Sequence, residues 1–124
     1  MEIVATDKAP AAIGPYSQAV KSGSLLFCSG QIPLVPETGE MVTGDIRQET
    51  EQVMNNLSAV LAAGGTGFDR VVRTTIYLVD MADFPVVNEV YGSFFSAAKP
   101  ARATVAVAAL PRGARVEIDA VAEL

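Results

Sequence analysis

From Arg115 to Ala122, Val116 and Ile118 alternate with Glu117 and Asp119, and this alternation constrains the fold more than any other feature of the chain. Successive side chains of a strand point to opposite faces, so one face of this segment is apolar and the other carries two carboxylates. Such a segment needs a sheet with one face on a core. The preceding stretch, Arg102 to Ala109, shows the same period, with Val105 and Val107 opposite Arg102, Thr104, Ala106 and Ala108. Leu110, Pro111, Arg112 and Gly113 supply a turn between them, so an antiparallel hairpin is predicted. If both apolar sets lie against the helices, Arg102 and Thr104 project on the same side as Glu117 and Asp119.

Ala9 to Tyr16 reads as an irregular loop. Ser17, Ala19 and a turn at Lys21 to Ser24 lead into a buried strand at Leu25 to Cys28, which makes a first hairpin ending at Ser29, Gly30 and Gln31. Ile46, Val53, Leu57, Val60 and Leu61 recur on one face of a helix entered near Asp45 and stopped by Gly64 and Gly65. Val71 to Val79 is a strand. A second helix follows, with Phe84, Val87, Tyr91, Phe94 and Phe95 at helical spacing, finished before Pro100. The predicted architecture is α+β, with two helices on one face of a sheet, in one domain over residues 1–124.

Half the residues are hydrophobic and 19% are charged, so the helix-free face is expected to be covered by another copy. The net charge of -5 and the absence of any run of three basic residues argue against nucleic acid or anionic lipid as a partner. The first ten residues do not have the pattern of a secretion signal, no segment is long and apolar enough to span a membrane, and the single Cys28 fits a reducing compartment. A cytoplasmic location is the expectation. The chain has no histidine, which removes Ser-His and Cys-His nucleophiles and His-ligated metals. Any chemistry is left to arginine, carboxylates, hydroxyls, backbone groups and water, with no metal or cofactor expected.

Two readings of Arg102 and Glu117 stand side by side. In one, the planar guanidinium binds a substrate carboxylate and the Glu orients or deprotonates water; in the other, the two form a structural ion pair on a strand pair. Gly64, Gly65 and Gly67 lack the Lys-Ser/Thr of a phosphate-binding loop and read as a helix stop and turn. Cys28 reads as a buried core thiol, and Tyr16 as a residue that closes a pocket or caps an interface.

The segment PARATVAVAALPRGARVEIDAVA, together with IGPYSQAV from Ile13, CSGQIP from Cys28 and RTTIYLVDMADFPVVNEVYGSFF from Arg73, closely resembles the reactive intermediate deaminase (Rid, YjgF) family over essentially the whole chain. The resemblance implies a chorismate-mutase-like fold and a homotrimer whose sheets form a central barrel, with active sites between subunits. It also implies hydrolysis of 2-imino and enamine acids such as 2-aminoacrylate and 2-iminobutanoate, released by pyridoxal-phosphate enzymes, to 2-oxo acid and ammonia. By position, Arg102 corresponds to the carboxylate-binding arginine and Glu117 to the carboxylate that activates water, while Tyr16, Ser29, Gly30 and Asn88 match cleft residues. Thr104 stands where many relatives carry Cys, so thiol chemistry is not expected there. A non-catalytic module that binds 2-oxo acids, and the endoribonuclease or translation-inhibitor activity described for some relatives, are the alternatives.

Overall fold

The computed structural model describes residues 1–124. Six strands, β1 (Glu2–Val4), β2 (Ala19–Ser22), β3 (Leu25–Gln31), β4 (Val71–Leu78), β5 (Ala101–Ala106) and β6 (Val116–Glu123), form one mixed sheet in the order β1-β2-β3-β6-β4-β5. Two helices, α1 (Ile46–Ala63) and α2 (Phe84–Gly92), pack on one face.

Local chemistry explains where α1 begins and ends. The Asp45 carboxylate accepts from the Gln48 N–H at 2.9 Å and the Gln48 side chain accepts from the Asp45 N–H at 3.0 Å, a reciprocal capping box. Val53, Met54, Leu57, Val60 and Leu61 are fully buried along the inner stripe. The helix stops at Gly64, where a side chain would run into Leu26, and Gly65 follows at φ +85°. The second helix ends at Gly92, so Phe94 and Phe95, predicted as helical, lie beyond it; Phe95 still packs its ring on Tyr91 at 4.7 Å.

The predicted C-terminal hairpin does not form. After β4 the chain crosses through α2 and returns as β5, parallel to β4, and β6 then inserts between β3 and β4, antiparallel to both. Residues opposite one another share a face of the sheet. Ile76 is paired with both Ile118 and Thr104, and Tyr77 with both Glu117 and Val105. Thr104 and Arg102 therefore sit on the helix-covered side, while Glu117, Asp119 and Val105 sit on the open side. The predicted register fails because it sets Val105 against the core, whereas β5 is an edge strand and Val105 is 42% exposed. Also missing from the sequence reading is β1, which extends the first hairpin to three strands.

On the open face, Ile3, Val20, Phe27 and Val121 are aligned across four strands, with Ile3 63% and Phe27 43% exposed. This apolar row has no cover within the chain.

Candidate active site

Two separate clefts hold the residues singled out above. The first, about 600 Å³, lies where the end of β3 meets the start of β6 and is lined by Tyr16, Gln18, Ser29, Gly30, Arg112 and Glu117, among others. A register shift between Cys28 and Gln31 takes Ser29 and Gly30 out of the regular β3–β6 pairing. Glu117 fills the space this creates: a Cβ added at Gly30 would overlap its carboxylate. Glycine is needed here for close approach, not for backbone freedom. The Ser29 hydroxyl donates to the Ser17 carbonyl at 2.6 Å and so ties β3 to the N-terminal loop.

Gln18 builds the wall of that cleft and was not singled out from the sequence. Its carbonyl oxygen accepts from the Thr6 N–H at 2.7 Å, and its amide nitrogen donates to the carbonyls of Thr6, Ala9 and Pro10 at 3.0, 3.3 and 2.7 Å. With 4% of its surface exposed, this one side chain replaces the backbone pairing that the Pro-containing loop lacks. Arg112 was likewise missed as a cleft residue. It is the only non-glycine residue at positive φ (57°), and its guanidinium donates to the Gly39 carbonyl at 2.9 Å. No local sequence signal marks either role, since both arise from contacts between distant loops.

Burial pushes the Glu117 carboxyl above its ordinary pKa, and the neighbouring Asp119 charge adds to the effect. Asp119 accepts a 2.9 Å hydrogen bond from the Tyr77 hydroxyl. Cys28, buried behind this region, has its thiol pushed up to about 12, chiefly by burial and secondarily by Asp119.

The second cleft, about 470 Å³, lies against α2 and includes Asn88, Tyr91, Lys99 and Arg102. Phe84, Asn88 and Tyr91 recur at helical spacing on one face of α2. Arg102 donates to the Asn88 side-chain oxygen at 2.7 Å, and its guanidinium carbon lies 5.5 and 5.1 Å from the Phe84 and Tyr91 ring centres. The Tyr91 hydroxyl is itself fixed by a 2.7 Å hydrogen bond with Thr74. Arg102 has no carboxylate partner; the ion pairs of the chain are Lys21–Glu2, Arg47–Glu89 and Arg115–Glu49. The structural ion-pair reading of Arg102 and Glu117 is thereby overturned. The Thr104 hydroxyl is buried on the helix-covered side without a hydrogen-bond partner.

The predicted residues therefore fall into two groups: Tyr16, Ser29, Gly30 and Glu117 in one cleft, Asn88 and Arg102 in the other. No cluster of three or more Cys, Asp and Glu side chains is arranged to hold a metal ion, and no helix is long and apolar enough to cross a membrane.

Fold and clefts together define a class of small α+β proteins with a carboxylate in one cleft and an arginine without an ion-pair partner in another. Residues 6–124 match the family model described as Endoribonuclease L-PSP, and the chain belongs to this family, which is also the reactive intermediate deaminase (YjgF) family. It is 62% identical over 119 residues to protein DfrA of Myxococcus xanthus, covering 94% of this chain and 91% of that one. It is 50% identical over 121 residues to the 2-iminobutanoate/2-iminopropanoate deaminase of Mus musculus, covering 98% and 90%. The crystal structure of RidA from Psychrobacter sp. PAMC 21119 superposes with a TM-score of 0.96 at 44% identity, covering all of both chains.

Proposed function

We propose that this chain is a hydrolytic deaminase of small 2-imino acids and their enamine tautomers, the 2-aminoacrylate and 2-iminobutanoate released by pyridoxal-phosphate enzymes. The single observation that carries the reading is the state of Arg102, whose guanidinium is held in place by Asn88 and two rings yet has no carboxylate partner. A planar cation fixed in this way is prepared to take a ligand carboxylate through a bidentate contact.

In this reading residues 1–124 act as one chorismate-mutase-like domain and assemble as a homotrimer, with the open sheet faces lining a central barrel. Arg102 and Glu117 lie on opposite faces of one chain, so Arg102 and Asn88 of one copy work with Tyr16, Ser29, Gly30 and Glu117 of its neighbour. The imine carbon is held next to the Glu117 carboxylate. Glu117 takes a proton from water as the water oxygen bonds to C2, giving a carbinolamine. It returns that proton to nitrogen and then carries the carbinolamine's hydroxyl proton to the same nitrogen, so that the C–N bond breaks as the C2 carbonyl forms and ammonia leaves with the 2-oxo acid. No metal, cofactor or thiol takes part, and the setting is cytoplasmic. The family's endoribonuclease description fits this chain poorly, because its net charge of -5 offers phosphate backbones little attraction.

The test is to generate 2-aminoacrylate with a dehydratase, trap it with semicarbazide, and measure whether the protein speeds loss of the trap-reactive species. Arg102→Lys and Glu117→Gln should each abolish most of that effect, with Glu117→Gln lowering turnover more than binding. Refolding an equal mixture of the two variants should restore about one quarter of the wild-type rate, since one site in four then draws both native residues from different copies of a cyclic oligomer. No acceleration by the wild type, with 2-oxo acid binding retained, would make the chain a binding module. Near-wild-type rates in both single variants would sink the site assignment.

A further inference from the structure

Tyr77 and Asp119 are not part of the machinery described above, yet they stand on the same open face as Glu117. In the β4–β6 ladder Tyr77 lies directly opposite Glu117, and Thr75 lies opposite Asp119. The Tyr77 hydroxyl crosses the ladder diagonally and donates to Asp119 Oδ2 at 2.9 Å. Asp119 follows Glu117 by two positions on β6, so the two carboxylates project from the same face roughly 7 Å apart along the strand.

We propose that Asp119 and Tyr77 are positioning residues for Glu117: Tyr77 anchors the Asp119 carboxylate beside it, and the fixed negative charge makes Glu117 the stronger base. The proposal rests on the reading of Glu117 as the group that takes a proton from water. Two otherwise unexplained features follow from the same geometry. A tyrosine is placed where it can reach a strand carboxylate that has no cation partner, and the Tyr77 hydroxyl is harder to ionise than usual, first because it donates to Asp119. Glu117 is raised by burial first and by Asp119 second, so removing the Asp119 charge leaves part of the elevation in place.

The other groups around Glu117 do not duplicate this role. Ser29 and Gly30 from β3 are uncharged, Tyr16 comes from the N-terminal loop, and Arg112 lines the same cleft but is tied to the Gly39 carbonyl. Arg73 on β4 faces the same side but lies opposite Val121, farther along the strand than Asp119. Cys28 stays neutral, its thiol pushed up to about 12.

The experiment is an NMR titration of the whole protein carrying carbon-13 at the glutamate side-chain carboxyls, with Glu117→Gln identifying the Glu117 resonance. A unit charge at roughly 7 Å moves a half-buried carboxyl by about 0.5 to 1.5 in pH, depending on the effective dielectric. Asp119→Asn should lower the Glu117 midpoint by that amount, while Asp119→Glu, which keeps the charge, should largely preserve it. In the same Asp119→Asn protein the Tyr77 phenol, followed by its ultraviolet ionisation band, should titrate at lower pH. Should Asp119→Asn fail to fold, Asp119→Thr offers a charge-free side chain suited to a strand. With imine hydrolysis as readout, the acid limb of kcat/KM should move down with the Glu117 midpoint, and the plateau should fall about two- to sixfold as the base weakens. An unmoved Glu117 midpoint in the charge-free variants overturns the inference even where the wild type is active. A lowered midpoint in a protein that hydrolyses no imine supports the electrostatic device while the deaminase reading fails.

Discussion

Replacing Gly30 by alanine adds one carbon at the point where β3 and Glu117 come closest. The Gly30 backbone lies outside the positive-φ region, so alanine meets no conformational penalty there. The added Cβ would overlap the Glu117 carboxylate and lie 2.9 Å from its Cδ and 3.0 Å from its Cγ. Ordinary carbon contacts begin near 3.5 Å, so the carboxylate has to retreat by about 1 Å. The retreating atoms are the end of a flexible side chain, so the fold gives way cheaply. Alanine also restricts the unfolded chain, a gain of about 0.4–1 kcal/mol, and net stability should stay within about 1 kcal/mol of wild type. Activity should not survive equally well. A misplacement of about 1 Å at a reacting group costs on the order of 100-fold in rate, or about 2.7 kcal/mol of transition-state stabilisation. Denaturant unfolding and the imine-trapping assay, run on the same preparation, separate the two effects. A Gly30→Ala protein that folds with wild-type stability and retains kcat/KM within threefold would falsify the claim that Glu117 must occupy its observed position.

Glu117→Gln should stabilise the fold at neutral pH. The Glu117 pKa is raised in the folded state, so its contribution is most favourable below the unfolded carboxyl value of about 4.3 and is lost as pH rises through the folded value, with each tenfold difference in proton affinity worth about 1.4 kcal/mol. The variant's advantage in Tm should therefore be present at pH 7 and disappear near pH 4; a lower Tm at pH 7 contradicts the burial argument. Glu49→Gln should destabilise by about 1–3 kcal/mol in urea unfolding. Glu49 is nearly buried in the first turn of α1 and pairs with Arg115, whose side chain is 42% exposed and so recovers part of its hydration; an unchanged urea midpoint would show that the pair contributes nothing.

The sequence was most informative where local chemistry decides the structure. Asp45 announces the start of α1, the apolar stripe from Val53 to Leu61 announces its buried face, and the alternation around Glu117 places Val116 and Ile118 in the core with Glu117 and Asp119 opposite. Strand partnership was not legible. Alternation along β5 and a turn-like Leu110–Gly113 suit a hairpin equally well, and nothing within either segment reports that β6 leaves β5 unpaired and inserts between β3 and β4. Valine at an edge strand also carries less information than valine in a central one, which is why Val105 misled the register. Gln18 and Arg112 were invisible for a related reason. Their partners, Thr6 to Pro10 and Gly39, are loop carbonyls brought near only by the completed fold.

The topological error bears directly on function. In a C-terminal hairpin with the predicted register, Arg102 and Glu117 would share one face and could neutralise each other within a single chain. The parallel β4–α2–β5 crossover instead sets Arg102 against Asn88, Phe84 and Tyr91 on the helix side, with β4 standing between β5 and the strand that carries Glu117. An exposed edge-strand guanidinium and a raised-pKa carboxylate are thereby kept apart, each without an oppositely charged partner. The cost is that neither cleft alone has both an anion-binding group and a base. Under the proposed reading, association brings the Arg102 of one copy to the Glu117 of another, and the apolar row through Ile3, Val20, Phe27 and Val121 supplies a hydrophobic reason for the open faces to meet. Catalytic competence and burial of that row then have to appear together: diluting the protein below the dissociation constant of the oligomer should remove activity and expose the row in one step, so full activity in an isolated monomer would refute the division of the site between copies.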